Sequence, residues 1–224
     1  MSMTSTKIKI MSFFIFIIFF FLVTGTFGLA IEPDDKENLV LKPETQKNIT
    51  AKNSILDHNY FEEDINPASK TILNQLGKDN YALIDQTGQN NLAWATQIND
   101  KNTSKIFQIG SNNYGNVAQI GDSNDAEISQ NNDEGYRFGF IGQVGDDNEA
   151  SIEQSGYELN SAFIGQFGDE NEAHILQDSP VEFETEIQQN GDSNTAGVMA
   201  LGQSKNLAVE QNGDNQNIEI LIGE

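Results

Sequence analysis

The chain has 224 residues, no cysteine, and 34 acidic residues against 12 basic ones, a formal charge of −22 at pH 7. So large an acidic excess repels nucleic acid, and the lack of cysteine excludes disulfide support and lipid attachment through a thiol. With 37% hydrophobic residues, many of them in the first thirty positions, the interior must be built partly from something other than apolar side chains.

Lys7 and Lys9 precede an apolar run from Ile10 to Val23, and Gly28-Leu29-Ala30 then offers a small-x-small cleavage site. A basic start, a short apolar core and small residues spell a secretory signal over residues 1–30. The apolar run is shorter than the roughly 20 residues needed to span a bilayer. Its removal leaves 34 acids against 10 bases, or −24. Residues 31–74 carry no clear repeat. Glu32, Asp34, Asp35, Glu62, Glu63 and Asp64 make the stretch acidic, and Pro33, Pro43 and Pro67 interrupt regular structure, so it reads as a disordered N-terminal segment. A short helix around Ser69 to Leu76 is allowed but not favoured.

From residue 75 onward a glutamine returns at a nearly constant interval. Gln75, Gln86, Gln97, Gln108, Gln119 and Gln130 stand eleven residues apart. The beat resumes at Gln143, Gln154, Gln166, Gln177, Gln189 and Gln211, with Ala200 and Ile222 in the two remaining slots. Each glutamine belongs to one word, Gln-x-Gly-x-x-Asn-x-Ala-x-Ile/Val-x-Gln, of which Gln119 to Gln130 and Gln143 to Gln154 are clean copies. The asparagine slot holds Asn80, Asn91, Asn102, Asn113, Asn124, Asn148, Asn160, Asn171 and Asn194, and Arg137, Phe183, Lys205 and Gln216 replace it elsewhere. The branched slot holds Ile or Val in twelve of thirteen copies, Ala95 being the exception. This period-two alternation is that of a strand, and parity turns Asn, Ala, Ile and Gln to one inward face. Extra residues, at Asp133 to Tyr136, at Tyr157-Glu158-Leu159 and around Pro180, fall between strand words, where a repeat fold tolerates insertion. Gly or Asn at the turn start suits a backbone of positive φ.

Two strands and two turns per 22–24 residues close one rung of a flattened coil. The fold expected is therefore all-β: a β-solenoid of about 6.5 rungs over residues 75–224, about 31 Å long at about 4.8 Å per rung. Stacking explains the buried amides, because a column of Gln or Asn can bond amide to amide at every rung. Left unpaired, each buried group would cost about 1–3 kcal/mol. These glutamines and asparagines are the candidate assembly ladder. The first and last rungs are expected to be open sheet edges without caps, so the coil should grow end to end.

The Gln-x-Gly-x-x-Asn-x-Ala-x-x-x-Gln repeat, over residues 75–222, resembles the curlin repeat of secreted bacterial curli fibres. The segments Ile84 to Ala93 and Asn124 to Gln130 look most like the minor, nucleating curlin. The resemblance implies a non-enzymatic subunit without cofactor or metal. Such a subunit crosses the outer membrane through a secretion channel with accessory factors. It then polymerises with itself and other curlin subunits into an extracellular cell-surface amyloid that supports adhesion and biofilm. An export-targeting segment would map onto part of residues 31–74. The Asn and Gln replacements named above depart from the family pattern, and such imperfect ladders suit a nucleator and a diverged major subunit alike.

Three further patterns are open to more than one reading. Asp100, Asp122, Asp146, Asp169, Asp192 and Asp214 should stack in one column on one edge, opposite Gln89, Ser111, Asp133, Tyr157, Pro180 and Gln203. Aspartate is a good turn residue. Alternatively, like charges one rung apart repel, so that acid, salt or a divalent cation would help assembly. The residue after every second glutamine, from Leu76 through Ile98, Ile120, Val144 and Phe167, is apolar before turning to Asn190 and Asn212. Pointing outward, this column either packs under the turn or forms a stripe for lateral contact. Catalysis has little support: His58 lies in the acidic segment, His174 occupies an outward slot, and no Ser-His-Asp pattern stands out. Calcium-binding roll repeats have a period of about nine, which does not fit. The competing class is a monomeric solenoid adhesin or ligand-binding module.

Overall fold

In the computed structural model residues 47–52, 59–66, 69–131, 135–156, 159–202 and 206–223 are described, the first two stretches as backbone only. The proposed signal, most of the acidic segment, His58, Asp133, Tyr157, Gln203 and Lys205 lie outside them. Among the described residues sixteen strands are formed and no helix. They are β1 (Lys47–Lys52), β2 (Asn59–Asn66), β3 (Ser69–Leu76), β4 (Tyr81–Thr87), β5 (Leu92–Ile98), β6 (Thr103–Ile109), β7 (Asn113–Ile120) and β8 (Asp125–Asn131). The second half holds β9 (Arg137–Val144), β10 (Glu149–Gly156), β11 (Asn160–Phe167), β12 (Glu172–Ser179), β13 (Phe183–Asn190), β14 (Thr195–Leu201), β15 (Leu207–Asn212) and β16 (Asn217–Ile222).

Alternation makes each strand: in β8, Ala126, Ile128 and Gln130 are buried while Asp125, Glu127 and Ser129 are not. From β3 onward the chain alternates between two sheets, so that consecutive strands face each other and every second strand pairs in parallel. One sheet runs β4-β6-β8-β10-β12-β14-β16, and the other runs β3-β5-β7-β9-β11-β13-β15. Register is kept word on word: Ile128 pairs with Ile152, which pairs with Ile175, which pairs with Val198. This is the β-solenoid with two strands per rung that the repeat called for.

The interior between the sheets is thin. Branched residues such as Ile106, Ile128, Ile141 and Ile164 are almost fully buried, and the facing slot is kept small. A Cβ at Gly139 would lie 3.1 Å from Ile128 Cγ2, which is why an Ala-sized or smaller residue stands there. At the far end packing thins out, and Ile218 and Ile220 are only partly buried.

Two features differ from expectation. Ser69–Leu76 is the first parallel strand of the stack, not a helix, with Gln75 opposite Gln97. The stack therefore reaches back six residues beyond its first glutamine. The second difference concerns the ends. β1 pairs antiparallel with β4 and β2 pairs antiparallel with β3, so both sheets carry a cover strand over the first rung. β15 and β16 end the stack on the other side, where no cover strand lies over them among the described residues, while β1 and β2 are themselves the outermost strands on the first side. The physical reason is chain continuity: the segment just ahead of the first rung is tethered beside two unpaired edges and can satisfy their N–H and C=O groups.

Candidate functional site

The turns that carry the chain from the β3 sheet to the β4 sheet all have one form. Gly121 (φ 127°), Asp122, Ser123 (φ 61°) and Asn124 stand for the set, with Gly145 to Asn148 and Gly168 to Asn171 as repeats. Two left-handed residues in four bend the strand into the facing sheet. Glycine is required for a second reason as well. A Cβ on Gly121 would fall on the Gly145 carbonyl one rung on. The second positive φ, held by Asp79, Ser123, Asp147, Glu170 and Ser193, is not apparent in the sequence because it is not filled by glycine.

The twelve glutamines fall into two columns. In the β3 sheet Gln75 Nε2 donates to Gln97 Oε1 (2.6 Å), Gln97 to Gln119 (3.0 Å) and Gln119 to Gln143 (2.9 Å). The chain continues through Gln166 and Gln189 to Gln211. In the β4 sheet Gln86, Gln108, Gln130, Gln154 and Gln177 form the same relay. There it ends, because Ala200 has no amide; Gln177 donates to Thr185 Oγ1 instead. From Gln86 onward each amide nitrogen also bonds a backbone carbonyl of the facing strand, as Gln108 Nε2 does to Leu92 O at 3.0 Å, so the ladder ties the two sheets together.

Asparagines divide unequally. At the constant turns Asn80, Asn102, Asn124, Asn148, Asn171 and Asn194 stack without a break, each Oδ1 accepting the N–H of the next. Gln216 closes the row through its backbone N–H to Asn194 Oδ1. At the opposite turns Asn91 and Asn113 pair, Arg137 intervenes, Asn160 turns back to Ser155 O, and Phe183 ends the column. Arg137 is buried; its Nη2 donates to the Gly156 carbonyl, while Nε and Nη1 have no partner. Burial pushes its guanidinium down to about 10, against the opposing pull of Asp178.

The aspartate column is present and does something neither sequence reading foresaw. Asp122 Oδ1 accepts the backbone N–H of Asp100 (2.9 Å), Asp146 that of Asp122 (2.8 Å), Asp169 that of Asp146 (2.8 Å) and Asp192 that of Asp169 (2.9 Å). Asp100 accepts from Lys78 N–H and Asp214 from Asp192 N–H. Each carboxylate thus caps the turn one rung earlier, a charge-assisted bond between rungs. Among the described residues no group of three or more His, Cys, Asp or Glu side chains could hold a metal ion.

The outer faces contrast. On the β4 sheet they are polar and acidic, with Asp125, Glu127, Glu149, Glu153 and Glu172 exposed or half-exposed. On the β3 sheet Leu92, Tyr114 and Phe138 share one column, and Trp94, Asn116, Phe140 and Phe163 the next. Tyr114 and Phe138 stack at 4.7 Å and 9°. The column Ile98, Ile120, Val144, Phe167 runs beside them half-exposed, and Phe167 lies against the open Gly165.

One side-chain chain was missed by sequence reasoning. Ser151 Oγ lies 2.8 Å from His174 Nδ1, and His174 Nε2 lies 2.8 Å from Glu172 Oε1. The signal is only visible once rung register places position 151 beside 174. The group sits on an open sheet face whose strand N–H groups are committed to the ladder, so no oxyanion hole accompanies it.

Comparison with known proteins agrees with this geometry. No curated protein and no solved structure matches the chain. The family model described as the curlin associated repeat matches residues 100–131 and 145–178, which span β6 to β8 and β10 to β12. Two stretches of the solenoid are thus curlin associated repeats.

Proposed function

We propose that the chain is a structural subunit of an extracellular curli-type fibre, supporting adhesion and biofilm, and that it polymerises by head-to-tail stacking of rungs. One observation carries the reading: the two loose ends of the β3-sheet glutamine ladder are complementary. Gln75 Oε1 is buried and has no hydrogen-bond partner among the described side chains. Every earlier glutamine of this column donates a hydrogen bond from Nε2 to the next, and among the described residues no further glutamine stands beyond Gln211 in the column. A copy stacked with its first rung on β15 and β16 of another brings Gln211 Nε2 to Gln75 Oε1, continuing the relay between molecules. The same placement sets Lys78 at the end of the carboxylate row that finishes in Asp214, so a cation meets the column across the junction. The β4-sheet ladder does not cross, because Ile222 fills its slot.

Growth by this route has a direction. The β15–β16 edge accepts directly, whereas the first rung must shed β1 and β2 before it can be added. The cover is antiparallel and places Asn59 opposite Gln75 and Lys47 opposite Gln86, so it offers no repeat word to either ladder. A true rung supplies both register and amides, and displaces it. By the family's logic the chain reaches the surface through an outer-membrane channel and adds to itself and to other curlin subunits. Seeded growth followed by an amyloid dye tests the reading, together with the double variant Thr50→Cys, Leu83→Cys, whose positions are partners in the cover. Oxidised, the variant should not elongate seeds, and reduction should restore growth to the wild-type rate. Unchanged elongation by the oxidised chain would exclude stacking through the first rung.

A further inference from the structure

We infer that the outer face of the β3 sheet, from β3 to β11, is a lateral docking surface for a second copy of this chain, distinct from the end-to-end junction. The first ground is charge. In a chain of 34 acidic residues, no outward position of β3, β5, β7, β9 or β11 is acidic. Two copies at −22 each repel over most of their surfaces, and this is the broad face on which they can approach without setting carboxylate against carboxylate. The acid-free zone ends sharply at β13, where Glu184 and Glu186 take the slots filled by Ser161 and Phe163 one rung earlier. That boundary limits how far two copies can overlap.

The second ground is continuity. Thr96, Ala118 and Gly142 are buried beneath the flanking Phe140–Phe163 and Ile120–Val144–Phe167 columns, and only Gly165 is partly open. The columns close over the small residues into one continuous, largely apolar face, which can meet its own inverted copy as facing sheets pack about 10 Å apart. The third ground is size. Strands of about seven residues and five strands deep make a patch of roughly 23 by 24 Å, about 550 Å2. A stable pair buries about 800 Å2 per partner. One patch therefore falls short alone, but copies joined end to end present a row of patches and bind together. Side-by-side pairing is weak for single chains and strong for fibres. In that respect the inference rests on the stacking reading, while the surface itself does not.

The absence of native cysteine provides a direct test on the full chain. Asn116→Cys, central on the face, is treated with a short bismaleimide, alone and in fibres, beside Ser129→Cys on the acidic face. Successive copies in one stack hold position 116 about 34 Å apart, out of the reagent's reach, so a covalent dimer reports lateral contact. The expected result is at least tenfold more dimer from Asn116→Cys than from Ser129→Cys, rising further in fibres. Adding Phe140→Glu should remove it while dye-monitored growth stays within twofold. Equal cross-linking from the two faces, or cross-linking untouched by Phe140→Glu, overturns the inference, as does a face that captures only other proteins or vesicles. If no fibre forms but Asn116→Cys still dimerises in a concentration-dependent way, the stacking reading falls and the surface stands. Fibres with equal cross-linking at both positions give the reverse.

Discussion

The two turn edges of the solenoid start from the same sequence word and have diverged. Turns from the β3 sheet to the β4 sheet are four residues long in every rung, from Gly77–Asn80 to Gly213–Gln216. Connections in the other direction vary in length, with four residues between β4 and β5, five between β8 and β9 and three between β12 and β13. The constant edge keeps two stacked devices, an asparagine row and carboxylates bonded to the rung before, while left-handed glycines with no room for a Cβ stand on both edges, as at Gly145 and at Gly88 and Gly156. Each requires the neighbouring rung to be the same, so a change in one turn disturbs two others. The variable edge has lost its asparagine row at Arg137 and Phe183, and with it the requirement for sameness. One edge sets the register and leaves the other free to accept insertions.

The largest single effect is expected at a crowded glycine of the constant edge. Gly145→Ala demands a side chain at φ 122° and drives a Cβ into the Gly168 carbonyl. It should cost about 3 kcal/mol or more, measured by chemical denaturation of the soluble chain. Two residues inserted between Ser111 and Asn112, on the variable edge, should cost less than about 1 kcal/mol. Similar losses at both sites would mean that the edges are not different in kind.

Repairing the variable edge sharpens the contrast. Arg137→Asn removes a buried guanidinium with two unpartnered donor nitrogens and returns an amide between Asn113 and Asn160. Stability should rise by about 1–3 kcal/mol. The pH dependence has a definite sign. Because burial holds the folded group at about 10, below its unfolded value, the charged form is penalised in the fold. The penalty is complete below pH 10 and lifts as pH rises through it. The wild type should therefore gain stability above pH 10 relative to Arg137→Asn, and a constant difference across that range would contradict the account.

The smallest effect separates charge from bonding in the aspartate row. Asp146→Asn keeps the Oδ1 acceptor for the Asp122 N–H and drops one charge, so stability should hold within about 0.5 kcal/mol and the salt dependence of growth should fall. Asp146→Ala loses the acceptor as well and should cost about 1 kcal/mol. If the two variants behave alike, the carboxylates act only through their charge.

Much of this molecule is written in its period. Alternation in Asn124-Asp125-Ala126-Glu127-Ile128-Ser129-Gln130 dictates a strand and its buried face. Recurrence of that word dictates stacking, because buried amides find partners only in their own copies. Those features are local or repeat at a fixed interval, so a single chain read in order contains them. What the tertiary structure decided depends on which neighbour lies on which side. The polarity of the stack turns each aspartate back to the N–H of the rung before, and rung register brings Ser151 to His174. The side of the coil on which a turn lies determines whether its length is free. The unrepeated segment before Ser69 gains strands only because two unpaired edges lie beside it, and those edges exist only once the coil has formed.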